Sequence, residues 1–337
     1  MATPGPVMMW TQYLAARAVV AGLTCVEPDW NLKAAGAVGG LIDRVSAKHA
    51  RRSRENIRRS FPGWPQRRVD QVARASMSHV MKLIVETMHT PRSIHEHNWS
   101  SRIDSSNLGD AVALLNTGRP VILVTGHLGN FELLGYALAV LGYDVDAIAR
   151  PLDNPLVYDW LMGIRRKKGM RIISKFGATE PMVRVMERGG GLGFIADQNA
   201  GHKGIFVPFM GRLASAHKPI GLLAQQFSAP IICGYAFRLG DHFRYEVGTA
   251  DIIYPEQWAD QPNPLYYITA RYTRALEAMV RMRPEQYWWM HRRWKNRPKH
   301  EAAGKPMPGR LRENLEALPW MTPSLMSELE KPVAFLN

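Results

Sequence analysis

The sequence predicts an α/β fold in which helices flank a central mixed β-sheet. Short apolar and β-branched stretches alternate with helical patterns through the middle of the chain, and this alternation is typical of α/β sheets. The 337 residues contain no internal repeat and no long Ser/Gly-rich linker. Most of the chain is therefore expected to form one unit.

The strands are predicted where apolar and β-branched residues run together between turn-forming residues. They cover residues 121–125, 144–149, 171–174, 193–196, 231–237 and 245–247. The helical patterns that separate them cover residues 128–141, 157–168, 181–188 and 219–227.

The start of the chain carries the argument for membrane association. Residues 7–26 are rich in Met, Trp, Leu, Ala and Val, but Thr11, Gln12 and Arg17 interrupt the apolar run. A spanning helix needs about 20 almost uniformly apolar residues, so this pattern predicts a helix that lies in the membrane interface. No positive charge precedes the stretch and no persuasive cleavage site follows it, which argues against a signal peptide.

A block of cations follows this segment, with Lys48, Arg51, Arg52 and Arg54 close together and Arg58, Arg59, Arg67 and Arg68 after them. Cations beside an anionic bilayer contribute about 1 kcal/mol each, so the block is expected to face anionic membrane lipid. The alternative is an N-terminal helix packed on the protein core with ordinary charged flanks, because amphipathicity does not distinguish lipid from protein as the apolar partner.

These features divide the chain into three regions. Residues 1–50 are predicted to form an N-terminal amphipathic, membrane-associated helical segment. Residues 51–300 are predicted to form the main domain. Residues 301–337 are rich in Pro, Lys and Glu and are expected to form a peripheral C-terminal tail.

His127 and Glu132 are the first candidates for chemistry. The predicted strand 121–125 ends just before His127, and Asn130 is placed to cap the helix that follows. Glu132 then lies in the first helical turn, where the helix dipole favours a carboxylate. From the loop, the imidazole can fold back to Glu132, which would fix its tautomer and stabilise it when it takes a proton. The alternative is a loop histidine beside a solvated acid, because His-x-x-x-x-Glu arises often by chance.

Two further features extend this candidate site. Backbone N–H groups of Gly129 and Asn130, if free, could bind a developing oxyanion. Asp197 follows a predicted strand at its C-terminal end, where open α/β sheets commonly build sites, and a second carboxylate near His127 would raise its basicity. The alternative for Asp197 is a capping role in the loop at residues 198–204.

Six segments agree in order and spacing with one family. His127 to Glu132 resembles the His-x4-Asp/Glu motif of the glycerolipid acyltransferase superfamily, with the Glu that is usual for its branch of bacterial lipid A late (lauroyl/myristoyl-type) acyltransferases. The chain resembles this branch over roughly residues 50 to 300. The other segments that carry the resemblance are Asn56-Ile-Arg-Arg-Ser-Phe-Pro, Arg150-Pro-Leu-Asp-Asn-Pro, Ala196-Asp-Gln, Phe206-Val-Pro-Phe-Met-Gly and Gln286-Tyr-Trp-Trp-Met-His-Arg-Arg-Trp-Lys.

The resemblance implies roles for individual residues. It makes His127 the general base and Glu132 its partner, with Arg165 and Asp197 as further catalytic-site residues. Arg165 is one of four adjacent cations at residues 165–168, for which a solvated basic face is the alternative. The residues expected to bind substrate are Gly129, Asn130, Arg150, Asn154, Gln198 and Arg293.

The segment that contains Arg293 has two interpretations. Its tryptophans could form part of the core, because Trp buries a large area wherever it is placed. They could equally form an interfacial belt beside an acyl tunnel, with the cations turned toward phosphate.

The resemblance implies a membrane-associated O-acyltransferase at the cytoplasmic face of the bacterial inner membrane. It would move a fatty acyl group from an acyl carrier protein or coenzyme A thioester to a hydroxyl of a glycolipid or phospholipid, most directly a lipid A precursor. The thioester is a co-substrate, and no cofactor is implied. An acyltransferase for another lysolipid or glycolipid is one alternative. A non-catalytic basic protein that binds lipid or nucleic acid is the alternative from a different class.

The formal net charge of +14 fits two kinds of partner. Basic chains attract nucleic acid without sequence recognition, but no zinc-finger, homeodomain or RNA-recognition pattern is present, so no specific nucleic-acid partner is expected. Anionic lipid, an acidic acyl carrier and coenzyme A phosphates need the same charge sign. The acyl-transfer motifs favour this second explanation.

No metal site is predicted. Cys25 and Cys233 form no Cys-x-x-Cys pair, which argues against a zinc site and against a disulfide scaffold. His202, His217 and His291 are expected to be structural or substrate-adjacent rather than metal ligands.

Overall fold

The computed structural model describes residues 5–166 and 171–331, and in these ranges seven strands form one mixed sheet. These strands are β1 Ile103–Asn107, β2 Val121–Thr125, β3 Val145–Ala149, β4 Arg171–Ser174, β5 Gly191–Ile195, β8 Ile231–Arg238 and β9 Tyr245–Ile253. A separate antiparallel pair consists of β6 Ile205–Phe209 and β7 Arg212–Ala216. The order in the large sheet is β1-β9-β8-β2-β5-β3-β4.

Helices precede, connect and follow the strands. The N-terminal helices are α1 Pro6–Thr24, α2 Pro28–Val45, α3 Ala47–Ser60 and α4 Gln66–Ser93. Those between the strands are α5 Gly109–Leu115, α6 Phe131–Val140, α7 Pro155–Arg166, α8 Thr179–Glu187 and α9 Pro219–Phe227. The C-terminal helices are α10 Glu256–Ala259, α11 Pro264–Met282, α12 Lys299–Ala302, α13 Gly309–Glu316 and α14 Pro323–Glu330.

The predicted mixed α/β sheet is confirmed. β2 lies between β5 and β8 and is parallel to both, whereas β9 runs antiparallel to β8 and parallel to β1. The predicted bounds of β2, β4 and α9 agree with the structure. β9 extends to residue 253, beyond the predicted 247, because it pairs with β8 along the full length of that strand.

The register of β2 and β5 positions the site. Thr125 pairs with Ile195, and the N–H of Ala196 donates to the carbonyl of Thr125 (2.8 Å). Both strands are parallel, so their C-terminal ends meet at the same edge of the sheet. His127 and Asp197 consequently leave neighbouring strands side by side.

Strand β1 and the β6–β7 pair lie outside the strands predicted from the sequence. Pro208 interrupts the pattern of β6, and the turn to β7 passes through Met210 and Gly211, both at positive φ (52° and 69°). Proline in an apolar run argues against a strand, so the local pattern does not identify β6.

Residues 5–50 divide into two parts. Helix α1 has no buried residue, whereas Leu32 and Ala35 of α2 are buried. Helix α2 packs closely on α4, since a Cβ at Gly39 would lie 2.4 Å from the Cα of Ser78. The alternative of a segment docked on the protein thus applies to α2, while membrane association of α1 stays a prediction. In the described part of the chain, no helix has both the length and the apolar composition to cross a membrane.

Part of the predicted C-terminal tail, in and next to α13 and α14, packs on the core, while the division of the chain into three regions stays a prediction. Leu315, Leu318 and Leu329 are buried in the main hydrophobic core, together with Met326. Apolar residues spaced three or four apart let short helices bury one face even when the surrounding composition is polar.

Candidate active site

His127 and Asp197 form a hydrogen-bonded pair at the end of β2 and β5. The imidazole Nδ1 lies 2.7 Å from Oδ1 of Asp197. Asp197 is 1% exposed and His127 is 9% exposed. Burial alone would raise the pKa of Asp197, but the charge of His127 and its hydrogen bond lower that pKa below its ordinary value. Asp197 is therefore a carboxylate suited to holding an imidazolium.

Nδ1 of His127 is bonded to Asp197, whereas the sequence pattern pointed to Glu132 as the carboxylate that orients the ring. Because Asp197 accepts from Nδ1, the neutral imidazole carries its free lone pair on the other ring nitrogen, Nε2. Glu132 lies in the first turn of α6 and contributes to the wall of a cavity beside the histidine. Its participation in the site stays a prediction.

The loop that carries His127 is fixed by hydrogen bonds from distant segments. The N–H of Gly129 donates to the carbonyl of Gln286 (2.9 Å), and the N–H of Asn130 donates to the carbonyl of Ala236 (2.6 Å). The expectation that these two N–H groups are free to bind an oxyanion is therefore wrong. A hydrogen bond from the N–H of Trp288 to the carbonyl of His127 (3.0 Å) completes the attachment.

Gly129 and Asn130 instead shape the turn. Gly129 has φ 53°, and a Cβ there would lie 2.1 Å from the carbonyl oxygen of Ala236, so the position requires glycine. Asn130 is fully buried, and its side chain accepts from the N–H of Leu133 (2.8 Å). The predicted helix cap at Asn130 is confirmed.

Helix α4 also contacts the His127 loop and the segment bonded to it, a contact that was not predicted from the sequence. Nε2 of His79 lies 3.2 Å from the carbonyl oxygen of Gly129. The hydroxyl of Ser76 donates to the carbonyl of Tyr287 (2.5 Å). The amide of Gln286 pairs with both backbone groups of Arg238, at 3.0 and 2.9 Å. No sequence signal identifies Ser76 or His79, because they lie some fifty residues before His127 in a helix that was not predicted.

Gln198 and Arg293, both predicted to bind substrate, lie close to the His127–Asp197 pair. Nε2 of Gln198 is 3.5 Å from Nε2 of His127, so its amide adjoins the reactive face of the imidazole. Arg293 is 1% exposed and donates to the carbonyls of Gln198 (3.0 Å) and Ser215. These contacts give Arg293 a positioning role beneath the Asp197–Gln198 segment.

The other predicted site residues lie on and before α7. Asn154 accepts from the N–H of Leu156 (3.0 Å) at the start of α7, and its amide donates to the carbonyl of Met9 in α1 (3.0 Å). Arg150 is exposed and pairs with Asp153 (3.2 Å). The side chain of Arg165 lies outside the described residues.

Aromatic rings enclose the imidazole of His127. Its ring centroid lies 5.1 Å from those of Phe131 and Trp288 and 4.5 Å from that of His291. Burial and the neighbouring His127 lower the pKa of His291 to about 4, against an opposing effect of Asp197. His291 is therefore a neutral ring at physiological pH, adjacent to the reacting group.

His127, Asp197 and His291 are also the residues that could hold a metal ion. They offer one ligand atom each, and these atoms lie within 4.8 Å of one another. Two imidazoles and a carboxylate are ligands that zinc accepts. The expectation of a metal-free site stays a prediction.

An apolar cavity of about 500 Å³, within the range of about 300–1,000 Å³ that is usual for ligand pockets, lies near the pair. Phe131, whose ring centroid is 5.1 Å from that of His127, lines this cavity, whereas His127 and Asp197 do not. It is bounded by the sheet and by α5 and α6, and it reaches the His127 loop at Thr125 and Phe131. Strand positions without side chains, at Gly193 and Gly234, contribute to the space. The lining is mostly aliphatic and aromatic, with Glu132 among its few polar side chains, so the cavity suits a hydrocarbon chain.

Fold and site together define a class of enzyme. A histidine held by a buried carboxylate can activate a hydroxyl, and the adjacent cavity can hold an acyl chain, as an acyltransferase requires. The chain belongs to the bacterial lipid A biosynthesis acyltransferase family, whose model matches residues 6–296.

Individual relatives agree with this assignment. The chain is 22% identical to lipid A biosynthesis acyltransferase 2 of Shigella flexneri, covering 89% of this chain and 94% of that protein. It is 22% identical to the lipid A biosynthesis myristoyltransferase of Escherichia coli, covering 86% and 88%. The match to the lipid A biosynthesis lauroyltransferase of Escherichia coli is 25% identical and covers 59% of this chain and 63% of that protein.

Proposed function

We propose that this protein transfers a fatty acyl group from a thioester to a hydroxyl of a lipid A precursor. The observation that carries the proposal is the buried His127–Asp197 pair beside an apolar cavity of about 500 Å³. Family membership supports lipid A chemistry, and the donor is an acyl carrier protein or coenzyme A thioester.

The chemistry begins at Nε2 of His127. This nitrogen removes the proton from the acceptor hydroxyl while the oxygen attacks the thioester carbonyl, and Asp197 stabilises the imidazolium through Nδ1–H. The tetrahedral intermediate then expels the thiolate by breaking its C–S bond. The imidazolium protonates that sulfur, which returns His127 to its starting state. General acid–base assistance of this kind contributes about 10² to 10⁴ in rate.

The developing oxyanion needs donors other than the backbone of Gly129 and Asn130. The amide of Gln198 adjoins Nε2 of His127 at 3.5 Å and is the first candidate. Arg165, placed in the site by resemblance, is the second. Glu132 faces the cavity near the same loop and would act on the bound acceptor or on these donors.

The exposed side chains of the N-terminal helices favour binding to an anionic membrane. Helix α1 exposes large apolar side chains, including Val7, Trp10, Leu14 and Val19. The basic helix α3 follows in sequence. We propose that the protein acts at the cytoplasmic face of the inner membrane, with α1 lying in the interface.

The test is acyl transfer by the purified full-length chain. Wild type, His127→Ala and a control variant, His300→Ala, are incubated with labelled acyl carrier protein or acyl-coenzyme A and a lipid A precursor, and mass spectrometry identifies the product. Wild type and His300→Ala are expected to form the acylated lipid, and His127→Ala to lose at least about a hundredfold in rate. Equal rates in wild type and a folded His127→Ala variant would overturn the proposal.

Other acceptors are included in the same experiment. If a different lysolipid or glycolipid is acylated and the lipid A precursor is not, the chemistry stands and the acceptor assignment is wrong. If no lipid is acylated, binding of liposomes and of RNA at two salt concentrations tests the non-catalytic alternatives, because nucleic-acid binding depends steeply on salt.

A further inference from the structure

Two segments far apart in sequence are joined at the edge of the active site. The amide of Asn56 in α3 donates to the carbonyls of Trp289 (2.8 Å) and His291 (3.2 Å). One helical turn earlier, Nη1 of Arg52 donates to the carbonyl of Met290 (3.2 Å). Helix α3 is thereby fixed to the short stretch of chain that places His291 against His127.

This junction brings cations together without a counter-charge. Arg292 lies two residues after Met290, whose carbonyl accepts from Arg52, and Arg51 is next to Arg52 in α3. Partial burial, and then the charges of Arg292 and Arg51, lower the pKa of Arg52. Within the described residues, no acidic side chain forms an ion pair with any of these three. Glu55, the acid in the following turn of α3, is already bound by Arg58 (2.9 Å) and Arg59 (2.5 Å).

Three unpaired guanidiniums on a fixed scaffold suit an anion. Like charges held together repel one another, and an anion bound between them removes this cost. The planar guanidinium matches the oxygens of phosphate, to which it can donate two parallel hydrogen bonds. Arg52 is held in place by the carbonyl of Met290, while Arg292 is exposed and available for a ligand.

The location connects the cluster to the reaction. Arg292 directly follows His291, whose ring centroid is 4.5 Å from that of His127. We propose that Arg51, Arg52 and Arg292 form a binding site for a phosphate group of a substrate, beside the catalytic histidine. This inference rests on the proposed function and deepens it. The phosphate belongs either to the acceptor glycolipid or to the phosphopantetheine arm of the donor.

Steady-state kinetics with matched substrates test the site. The donors are acyl-phosphopantetheine and acyl-pantetheine, and the acceptors are the phosphorylated glycolipid and the same glycolipid after phosphatase treatment. Arg292→Gln is expected to raise KM about tenfold for the substrate whose phosphate is bound, with kcat within about twofold of wild type. In Arg292→Gln, the KM values of that substrate and of its phosphate-free form should be the same. The arm in which discrimination is lost identifies the source of the phosphate.

Arg67→Gln is the matched control, since Arg67 is an exposed cation on the neighbouring helix α4 and tests general attraction of anions and membranes. If Arg67→Gln and Arg292→Gln have the same effect, or if Arg292→Gln changes no KM, the proposed site is wrong. Arg52→Lys, which keeps the charge and a donor but loses the planar fork, is expected to show an intermediate KM.

A second readout separates this inference from the proposed function. Binding of inorganic pyrophosphate to the full-length chain is followed by isothermal titration calorimetry, which needs no acyl transfer. If wild type proves inactive, the proposed function fails, and the calorimetry decides the site alone. Binding weakened at least fivefold in Arg292→Gln but not in Arg67→Gln supports the anion site, and equal binding in both variants overturns it.

Discussion

Nδ1 of His127 lies 2.7 Å from Oδ1 of Asp197, a residue seventy positions later that reaches the histidine because β2 and β5 are adjacent parallel strands. This contact changes the interpretation of the His-x4-Glu motif. The carboxylate on Nδ1 comes from the end of the neighbouring strand, and Glu132 contributes to the wall of the apolar cavity.

The first prediction concerns the histidine tautomer. In protein with ¹⁵N-labelled histidine, the Nδ1–H proton of His127 is expected to show the downfield NMR signal of a hydrogen bond to a carboxylate. Glu132→Gln should keep this signal, and Asp197→Asn should lose or strongly shift it. A signal that disappears in Glu132→Gln and survives in Asp197→Asn would show that Glu132 is the orienting group.

The second prediction concerns the turn at Gly129. An alanine there would place its Cβ 2.1 Å from the carbonyl of Ala236 and would have to adopt φ 53°. Gly129→Ala is expected to lower the free energy of unfolding by about 2–3 kcal/mol and to reduce kcat by displacing His127.

Gly304→Ala is its control, because Gly304 has φ 62° with no atom within 4 Å of the added Cβ. This variant carries only the backbone strain, about 1–2 kcal/mol, and should keep normal kcat. Urea unfolding and single-turnover rates measure both effects. Equal behaviour of the two variants would contradict a constrained turn at residue 129.

The third prediction concerns acyl-chain length. Gly193 lines the cavity, and a Cβ there would meet its nearest neighbour at 3.6 Å, an ordinary contact. Gly193→Leu should therefore fit locally while filling cavity space, so the preferred acyl chain is expected to shorten. Competition among donors of different chain length, with products separated by mass, measures the shift. Gly63→Leu, at a position with open space, is the control, and an unchanged preference in Gly193→Leu would place the acyl chain elsewhere.

The fourth prediction concerns stability at mildly acidic pH. Burial lowers the pKa of His291 from 6.5 to about 4, and burial also lowers the pKa values of His79 and His217. As pH falls below about 6.5, the unfolded chain binds protons that the folded chain does not, so the free energy of unfolding decreases. Asp197 does not contribute to this loss. Its pKa is lowered by folding, so its contribution to the free energy of unfolding is lost only when the pH falls below its ordinary pKa of 3.8.

Urea unfolding at pH 7.5 and pH 5.5 measures this loss. His291→Asn should lose about 1 kcal/mol less than wild type between these two values. The same loss in the variant and in wild type would mean that His291 is not a buried neutral histidine.

Sequence reasoning reached the parts of the site that depend on local pattern. The buried strand before His127, the cap at Asn130 and the position of Asp197 at the end of a strand all follow from residues that lie within a few positions of one another. The acceptors of the Gly129 and Asn130 N–H groups could not be predicted in the same way, because the carbonyls of Gln286 and Ala236 come from distant segments.

Contacts between distant segments also decide two features of the fold that local sequence patterns do not predict. Whether α2 packs on protein or on lipid depends on α4, which approaches it closely only because residue 39 is glycine. The C-terminal helices looked peripheral by composition, yet a few residues such as Leu315 and Leu329 suffice to anchor them in the core. Long-range packing decides both cases, and no local pattern contains it.

The most direct test of the His127–Asp197 pair is the turnover of Asp197→Asn at saturating donor and acceptor. The pair predicts a fall in kcat of about 10² to 10⁴ with KM little changed, because the substrates still bind but the imidazolium loses its carboxylate. Asp260→Asn, an exposed aspartate distant in sequence, should behave as wild type. A folded Asp197→Asn protein with kcat within about twofold of wild type would contradict the account, since general-base catalysis would not then depend on this carboxylate.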